Sequence, residues 1–252
     1  MNSFSLILST PLEQFEIIIL QPIIIFGYDF SFTNNSLFLF LMFSIISVFY
    51  YLSIYRTTMM PRLWQYIAEN VYMFVLDIIN QQIGLKGAKY FPFLFSVFNF
   101  ILFSNILGLI PFGFTVTSHI IVTFLLSLSI NLGVTFIGFK LHGLKFLKLF
   151  APDGAPIFLL PLIIIIEIVS YILRTFSLSI RLFANMMAGH TLLFIICSFI
   201  LLFLNSQFFI FGIIPFILLI MIMILEIGIA FLQAYVFTIL VSIYLNDSIN
   251  LH

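Results

Sequence analysis

The sequence predicts an all-α integral membrane protein, with about five membrane-crossing helices plus an amphipathic surface helix, the last two helices forming a long, strongly tilted hairpin. Three observations carry that class. Of 252 residues, 63% are hydrophobic and only 7% charged, where a soluble domain is roughly a quarter charged. Apolar stretches of the about 20 residues needed to cross hydrocarbon recur along the chain. Lys and Arg concentrate in alternate loops, as in a chain that crosses a membrane repeatedly. Residues 1–252 read as a single membrane domain, without an internal repeat or a soluble module.

Residues 1–35 form an outer-surface N-terminal segment, because the apolar run at 17–25 behind Glu13 and Glu16 is too short to span. The first span, 36–55, contains no charge. In 63–83, Trp64, Ile67, Val71, Phe74, Leu76 and Ile78 alternate with Gln65, Glu69, Asn70, Asp77 and Asn80, which predicts an amphipathic helix near the membrane surface. A two-span hairpin occupies 91–139: 91–110 is stopped by Pro111 and Gly113, and 119–139 runs up to the polar break at Lys140, Lys145 and Lys148. The long tilted hairpin is 156–245, with a turn at Asn205, Ser206 and Gln207. Its first arm, 156–204, would measure about 73 Å as one helix at 1.5 Å per residue. That arm therefore either breaks near Gly189, its only glycine, or lies steeply inclined.

Orientation follows from the basic loops. Arg56, Arg62, Lys86 and Lys89 follow the first span and Lys140, Lys145 and Lys148 follow the third, while the loop at Pro111 and the turn at Ser206 have no Lys or Arg. Five crossings then put the N-terminus outside and the C-terminus inside. No Lys or Arg precedes Arg56, which argues against a secretory signal or an Arg-rich transit peptide. An organellar location would imply synthesis within the organelle.

Composition excludes several functions. Nine Lys and Arg balance nine Asp and Glu, leaving no basic field for nucleic acid. Cys197, the single cysteine, supports neither a disulfide within the chain nor a cysteine cluster. No His or acidic pair recurs at metal-ligand spacing. No nucleophile–base pair, phosphate loop or cofactor motif occurs, so neither catalytic residues nor a cofactor are expected.

What remains is a set of ionisable groups inside apolar segments: Glu167, Arg174, Arg181, His190 and Glu226. Each buried Arg or acid costs at least about 2.5–3.5 kcal/mol to place in a bilayer, so such groups point to function. Glu167, Arg174 and Arg181 are spaced by seven, close to two helical turns, and share one stripe. Ser170, Ser177 and Asn185 continue it, and Glu226 and Gln233 are again seven apart. Two polar stripes on consecutive helices predict a shared hydrated seam.

In an antiparallel pair, residues at equal depth have numbers with a constant sum. A turn near 207–208 makes His190 level with Glu226, and Arg181 level with Gln233. Arg181 then lies roughly 35 Å from the turn along the helix. Placing it at mid-depth requires a tilt of about 65°, beyond the usual limit near 40°.

The segment Ser177-Leu178-Ser179-Ile180-Arg181-Leu182-Phe183-Ala184-Asn185-Met186-Met187-Ala188-Gly189-His190 resembles the signature of subunit a of the rotary ATP synthase, in its mitochondrially encoded form. Pro11-Leu12-Glu13-Gln14-Phe15, Asn105-Ile106-Leu107-Gly108-Leu109-Ile110-Pro111, Glu226 and Gln233-Ala234-Tyr235-Val236-Phe237 support the likeness in the right order. The resemblance implies a proton-conducting stator subunit that offers two offset half-channels to a rotating ring of c subunits, the catalytic sites for ATP lying on other subunits. It assigns the indispensable arginine to Arg181, the outer half-channel to His190 and Glu226, and the inner half-channel carboxylate to Glu167. Asn185 and Gln233 would orient water or the arginine, or serve as packing contacts across helices. Ser177 and Arg174 are further candidates for the inner path, Arg174 equally fitting a structural pairing or a snorkelling side chain. Partners implied are the c-ring, the peripheral stalk subunit b, small membrane-sector subunits and membrane lipids, including cardiolipin, with no nucleic acid. The implied location is the mitochondrial inner membrane, multi-pass, with the N-terminus in the intermembrane space and the C-terminus in the matrix.

Two other readings compete. An ion-coupled secondary transporter or pump subunit would show inverted repeats and helices interrupted at matching positions, which the sequence lacks. An inert scaffold would have no use for five charged or titratable groups on two seams.

Overall fold

A computed structural model describes residues 13–25, 28–29, 31–55, 57–110, 113–150, 159–204 and 212–250. Among these, six α-helices dominate: α1 (Asn34–Ile54), α2 (Leu63–Gln82), α3 (Phe91–Gly108), α4 (Ile120–His142), α5 (Leu160–Leu204) and α6 (Ile213–Ile249). Five are long and apolar enough to cross a membrane, α2 being the exception. The chain is an all-α membrane protein with a long helix pair at its C-terminal end. Arg56, the start of the long segment at Pro156 and the turn at Asn205, Ser206 and Gln207 lie outside the described residues.

Helix α5 is one unbroken α-helix of 45 residues, continuous through Gly189. The expected alternative of a break there is overturned. At 1.5 Å per residue α5 is about 67 Å long, more than twice the roughly 30 Å of hydrocarbon. Glycine inside a helix costs about 1 kcal/mol relative to alanine, so Gly189 has a reason other than bending the chain.

Glycine shapes two helix ends. Gly84, just beyond α2, and Gly143, just beyond α4, have φ of 73° and 57°, the left-handed conformation that ends helices and that side chains with a Cβ resist. After Gly143 the chain winds through a 3₁₀ segment, Gly143–Phe150. Its Phe146 ring returns onto Gly138 of α4, where a Cβ would collide with it.

Contacts divide the chain into two compact units. The first comprises Met1–Ser47, Ile101–His119 and Leu182–Gln233; the second comprises Val48–Phe100, Ile120–Arg181 and Ala234–His252. In the second unit α2 buries Ala68, Val75, Ile78 and Ile79 and exposes Glu69, Asn70, Asp77 and Asn80, the amphipathic division its sequence predicts. Its Phe74 ring meets Phe98 at 5.7 Å and Tyr235 at 5.4 Å. The Tyr50 hydroxyl donates to Asn99 Oδ1 at 2.6 Å, and Asn99 in turn donates to the Phe95 carbonyl.

In the first unit the N-terminal segment carries short antiparallel ladders, β1 (Ile19–Gln21) with β4 (Phe32–Thr33) and β2 (Ile24–Ile25) with β3 (Tyr28–Asp29). Asn34 ties this segment to the start of α1. Its side chain accepts from Ile18 N–H at 3.3 Å and donates to the Glu16 carbonyl at 3.0 Å.

Candidate functional site

The ionisable groups fall into two clusters, one in each unit. In the first unit, α5 supplies Asn185, Gly189 and His190 while α6 supplies Glu226 and Gln233. Glu226 is 6% exposed and Gln233 is 5% exposed. Asn185 Nδ2 donates to Gln233 Oε1 at 2.9 Å. A Cβ on Gly189 would collide with Glu226 Oε1 and lie 3.0 Å from its Cδ. This close approach explains the glycine: a hydrogen in place of a methyl lets the carboxylate lie against the α5 backbone.

The register expected for His190 and Glu226 is therefore seen in the contact at the adjacent Gly189. Gln233, expected level with Arg181, has its hydrogen bond with Asn185, one helical turn further along α5.

His190 Nε2 and both carboxylate oxygens of Glu226 are buried without a hydrogen-bond partner among the described residues. Such orphaned groups cost about 1–3 kcal/mol each, so native chains satisfy them with ordered water or use them in chemistry. Polar side chains extend the cluster. Asn105, 0% exposed, donates to the Ala230 carbonyl of α6 at 3.4 Å and accepts from Thr117 Oγ1 at 3.3 Å. From the N-terminal segment, the Phe15 ring meets His190 edge-on at 6.4 Å.

The second cluster is built differently. Arg174 of α5 lies 3.7 Å from Glu167 Oε1, on its own helix, and 3.6 Å from Asp247 Oδ2 of α6. Its guanidinium also sits over the Tyr244 ring, 5.0 Å from the centroid. Asn131 of α4 donates to Thr175 Oγ1 at 2.7 Å, and Ser127 donates to the Thr175 carbonyl at 3.1 Å. Arg174, Asn131, Thr175 and Tyr244 line a cleft of about 10 Å³, room for roughly one water. Both acids are partly open, with side-chain exposures of 34% for Glu167 and 39% for Asp247. Exposed pairs of this kind contribute at most about 1 kcal/mol each.

Arg181 is exposed on α5, and no ion pair holds it among the described residues. Around it Ser177, Ala184, Asn185 and Ala188 are also exposed, giving one helix face a strip of small side chains bordered by Ile180 and Phe176. Small residues permit a second helix to approach closely. Guanidinium remains protonated at any accessible pH, so this face carries a permanent positive charge.

Asp247, Tyr244, Asn131 and Thr175 are absent from the sequence-predicted set. A signal for Asp247 exists: the seven-residue step from Glu226 to Gln233 reaches it after two further steps.

The family described as ATP synthase A chain matches residues 36–246. "ATP synthase subunit a" of Chondrus crispus is 47% identical over 248 residues, which is 98% of this chain and 98% of the relative. "ATP synthase subunit a" of Acanthamoeba castellanii is 45% identical over 243 residues, covering 95% of this chain and 97% of the relative.

Proposed function

The chain belongs to the ATP synthase subunit a family, and from that premise we propose how it moves protons as the stator subunit of the membrane sector. The membership carries a partnership with the ring of c subunits and gives no support to a secondary transporter. The observation that carries the mechanism is Arg181: a permanent cation, exposed on an apolar helix among small residues, without an ion-pair partner among the described residues. A ring carboxylate reaching that face meets a fixed positive charge that favours its ionised form. The same cation repels a proton moving directly past it. Two water paths, each ending near Arg181 on opposite sides, then exchange protons only through the ring, and the ring must turn for current to flow.

In this reading His190 and Glu226 form the outer path. Their buried, unpartnered atoms supply donors and acceptors for a proton chain, and the bond between Asn185 and Gln233 orients the polar face leading toward Arg181. Glu167 and Arg174 belong to the inner path, with Asp247 as a second carboxylate on the same guanidinium and Ser177 on the exposed face between Arg174 and Arg181. Carboxylates and an imidazole on both paths favour protons as the ion carried. With Arg181 working at mid-depth, the α5–α6 hairpin is strongly inclined, by about 65°. The N-terminus lies in the intermembrane space and the C-terminus in the matrix of the mitochondrial inner membrane, following the basic loops. Subunit b, small membrane-sector subunits and cardiolipin complete the surroundings.

Arg181→Ala tests the mechanism. The assembled complex is expected to lose proton-driven ATP synthesis entirely while retaining its subunits, measured in vesicles under an imposed proton gradient. Synthesis at the wild-type rate would sink it.

A further inference from the structure

Building on the outer path just described, we infer that the hydroxyl of Thr115 is a further positioning group, holding a water that passes protons to His190 beside Gly108. The geometry starts at the end of α3. A Cβ placed on Gly108, the last residue of that helix, would lie 2.7 Å from Thr115 Cγ2 and 3.7 Å from His190 Nε2. The loop after α3 and helix α5 thus converge on one backbone point, and the missing side chain of Gly108 is what lets Thr115 and His190 both lie so close to it.

The loop itself is unusual. Thr115, Thr117 and Ser118 are 2%, 1% and 4% exposed, although Ser and Thr are mostly surface residues and connecting segments mostly run over the surface. Two of the three hydroxyls are satisfied: Ser118 Oγ donates to the Thr115 carbonyl at 2.6 Å, and Thr117 Oγ1 donates to Asn105 Oδ1 at 3.3 Å. Thr115 Oγ1 is buried with no partner among the described residues, as are His190 Nε2 and the Glu226 carboxylate. If packing were its purpose, valine would fill the same volume without burying an orphaned oxygen at a cost of about 1–3 kcal/mol. A hydroxyl is both donor and acceptor, so it can orient a water toward the imidazole whichever nitrogen carries the proton. A bridging water needs two to four polar partners, and Thr115 with His190 supplies the first two. Asn105, bonded to both Thr117 and the Ala230 carbonyl, fixes this loop against the helix that bears Glu226.

The test uses the intact complex in vesicles, reading ATP synthesis per assembled complex while the pH of the proton-supplying side is varied. Thr115→Val is expected to lower the rate about tenfold and to move the pH profile, whereas Thr115→Ser stays within twofold of wild type. A Thr115→Val complex with an unchanged rate and profile overturns the inference. So does a Thr115→Val chain that fails to assemble while Thr115→Ser assembles, because the hydroxyl then serves packing alone. His190→Ala separates this inference from its premise. If that variant is fully active, the outer path itself falls; if it is inactive while Thr115→Val is normal, only the role of Thr115 does.

Discussion

The two clusters treat their charges in opposite ways. Around Arg174 every ionisable group has a fixed partner: Glu167 and Asp247 flank the guanidinium and the Tyr244 ring lies under it. Around His190 the ionisable groups are more deeply buried, and neither the imidazole Nε2 nor the Glu226 carboxylate has a hydrogen bond among the described residues. A buried group without a partner is open to whatever water arrives, while a paired one is already held in place. The contrast separates carboxylates oriented by a fixed cation from groups left open to water.

The largest expected effect breaks the His190 cluster. Glu226→Gln keeps shape and removes the titrating group, so ATP synthesis is expected to fall about a hundredfold, the scale of losing a positioned proton-transfer group. Because the native carboxylate has no partner to lose, thermal stability of the assembled complex stays the same or rises. A substantial drop in melting temperature would erase the contrast.

An intermediate effect is expected at Arg174. Glu167→Gln or Asp247→Asn alone costs about 1 kcal/mol or less of stability, since each pair is partly exposed and the other acid still neutralises the guanidinium. Together they leave it unpaired, and a double-mutant cycle is expected to show coupling of about 0.5–3 kcal/mol, diminishing in high salt. Strict additivity would mean that the two acids do not share one cation.

The smallest effect concerns the polar contacts behind that pair. Thr175→Val removes the acceptor for Asn131 and is expected to cost about 1 kcal/mol with little change in ATP synthesis per complex. A large loss of rate at preserved stability would move Asn131 and Thr175 from scaffold to proton path.

Much of this was readable before any coordinates, because seven-residue steps on a helix translate directly into one face. The stripe of Glu167, Arg174 and Arg181 and the level placing of His190 with Glu226 both rest on that arithmetic. Asp247 lies on the same arithmetic two steps beyond Gln233, hidden by its place near the chain end, where an acid looks merely solvated. Gln233 is level with Arg181 by the constant sum of an antiparallel pair, and its hydrogen bond to Asn185 is a contact that the sum does not single out. The hydroxyls of Thr115, Thr117 and Ser118 were beyond the reach of periodicity: they sit in an irregular loop, where burial depends on how the chain folds back. Gly189 resembled a break because glycine weakens helices, but its role is to admit the Glu226 carboxylate, a contact made by a residue far along the chain.

The unbroken α5 helix, Leu160–Leu204, carries Arg181 near its midpoint. If the paths on either side have comparable length, the electrical potential across the membrane is divided between them in comparable shares. A charge crossing 100 mV gains about 2.3 kcal/mol in all, so neither path has to supply the whole electrical drive. The voltage is then felt both when a proton boards the ring and when it leaves, and an insertion lengthening one side of α5 would unbalance the two steps.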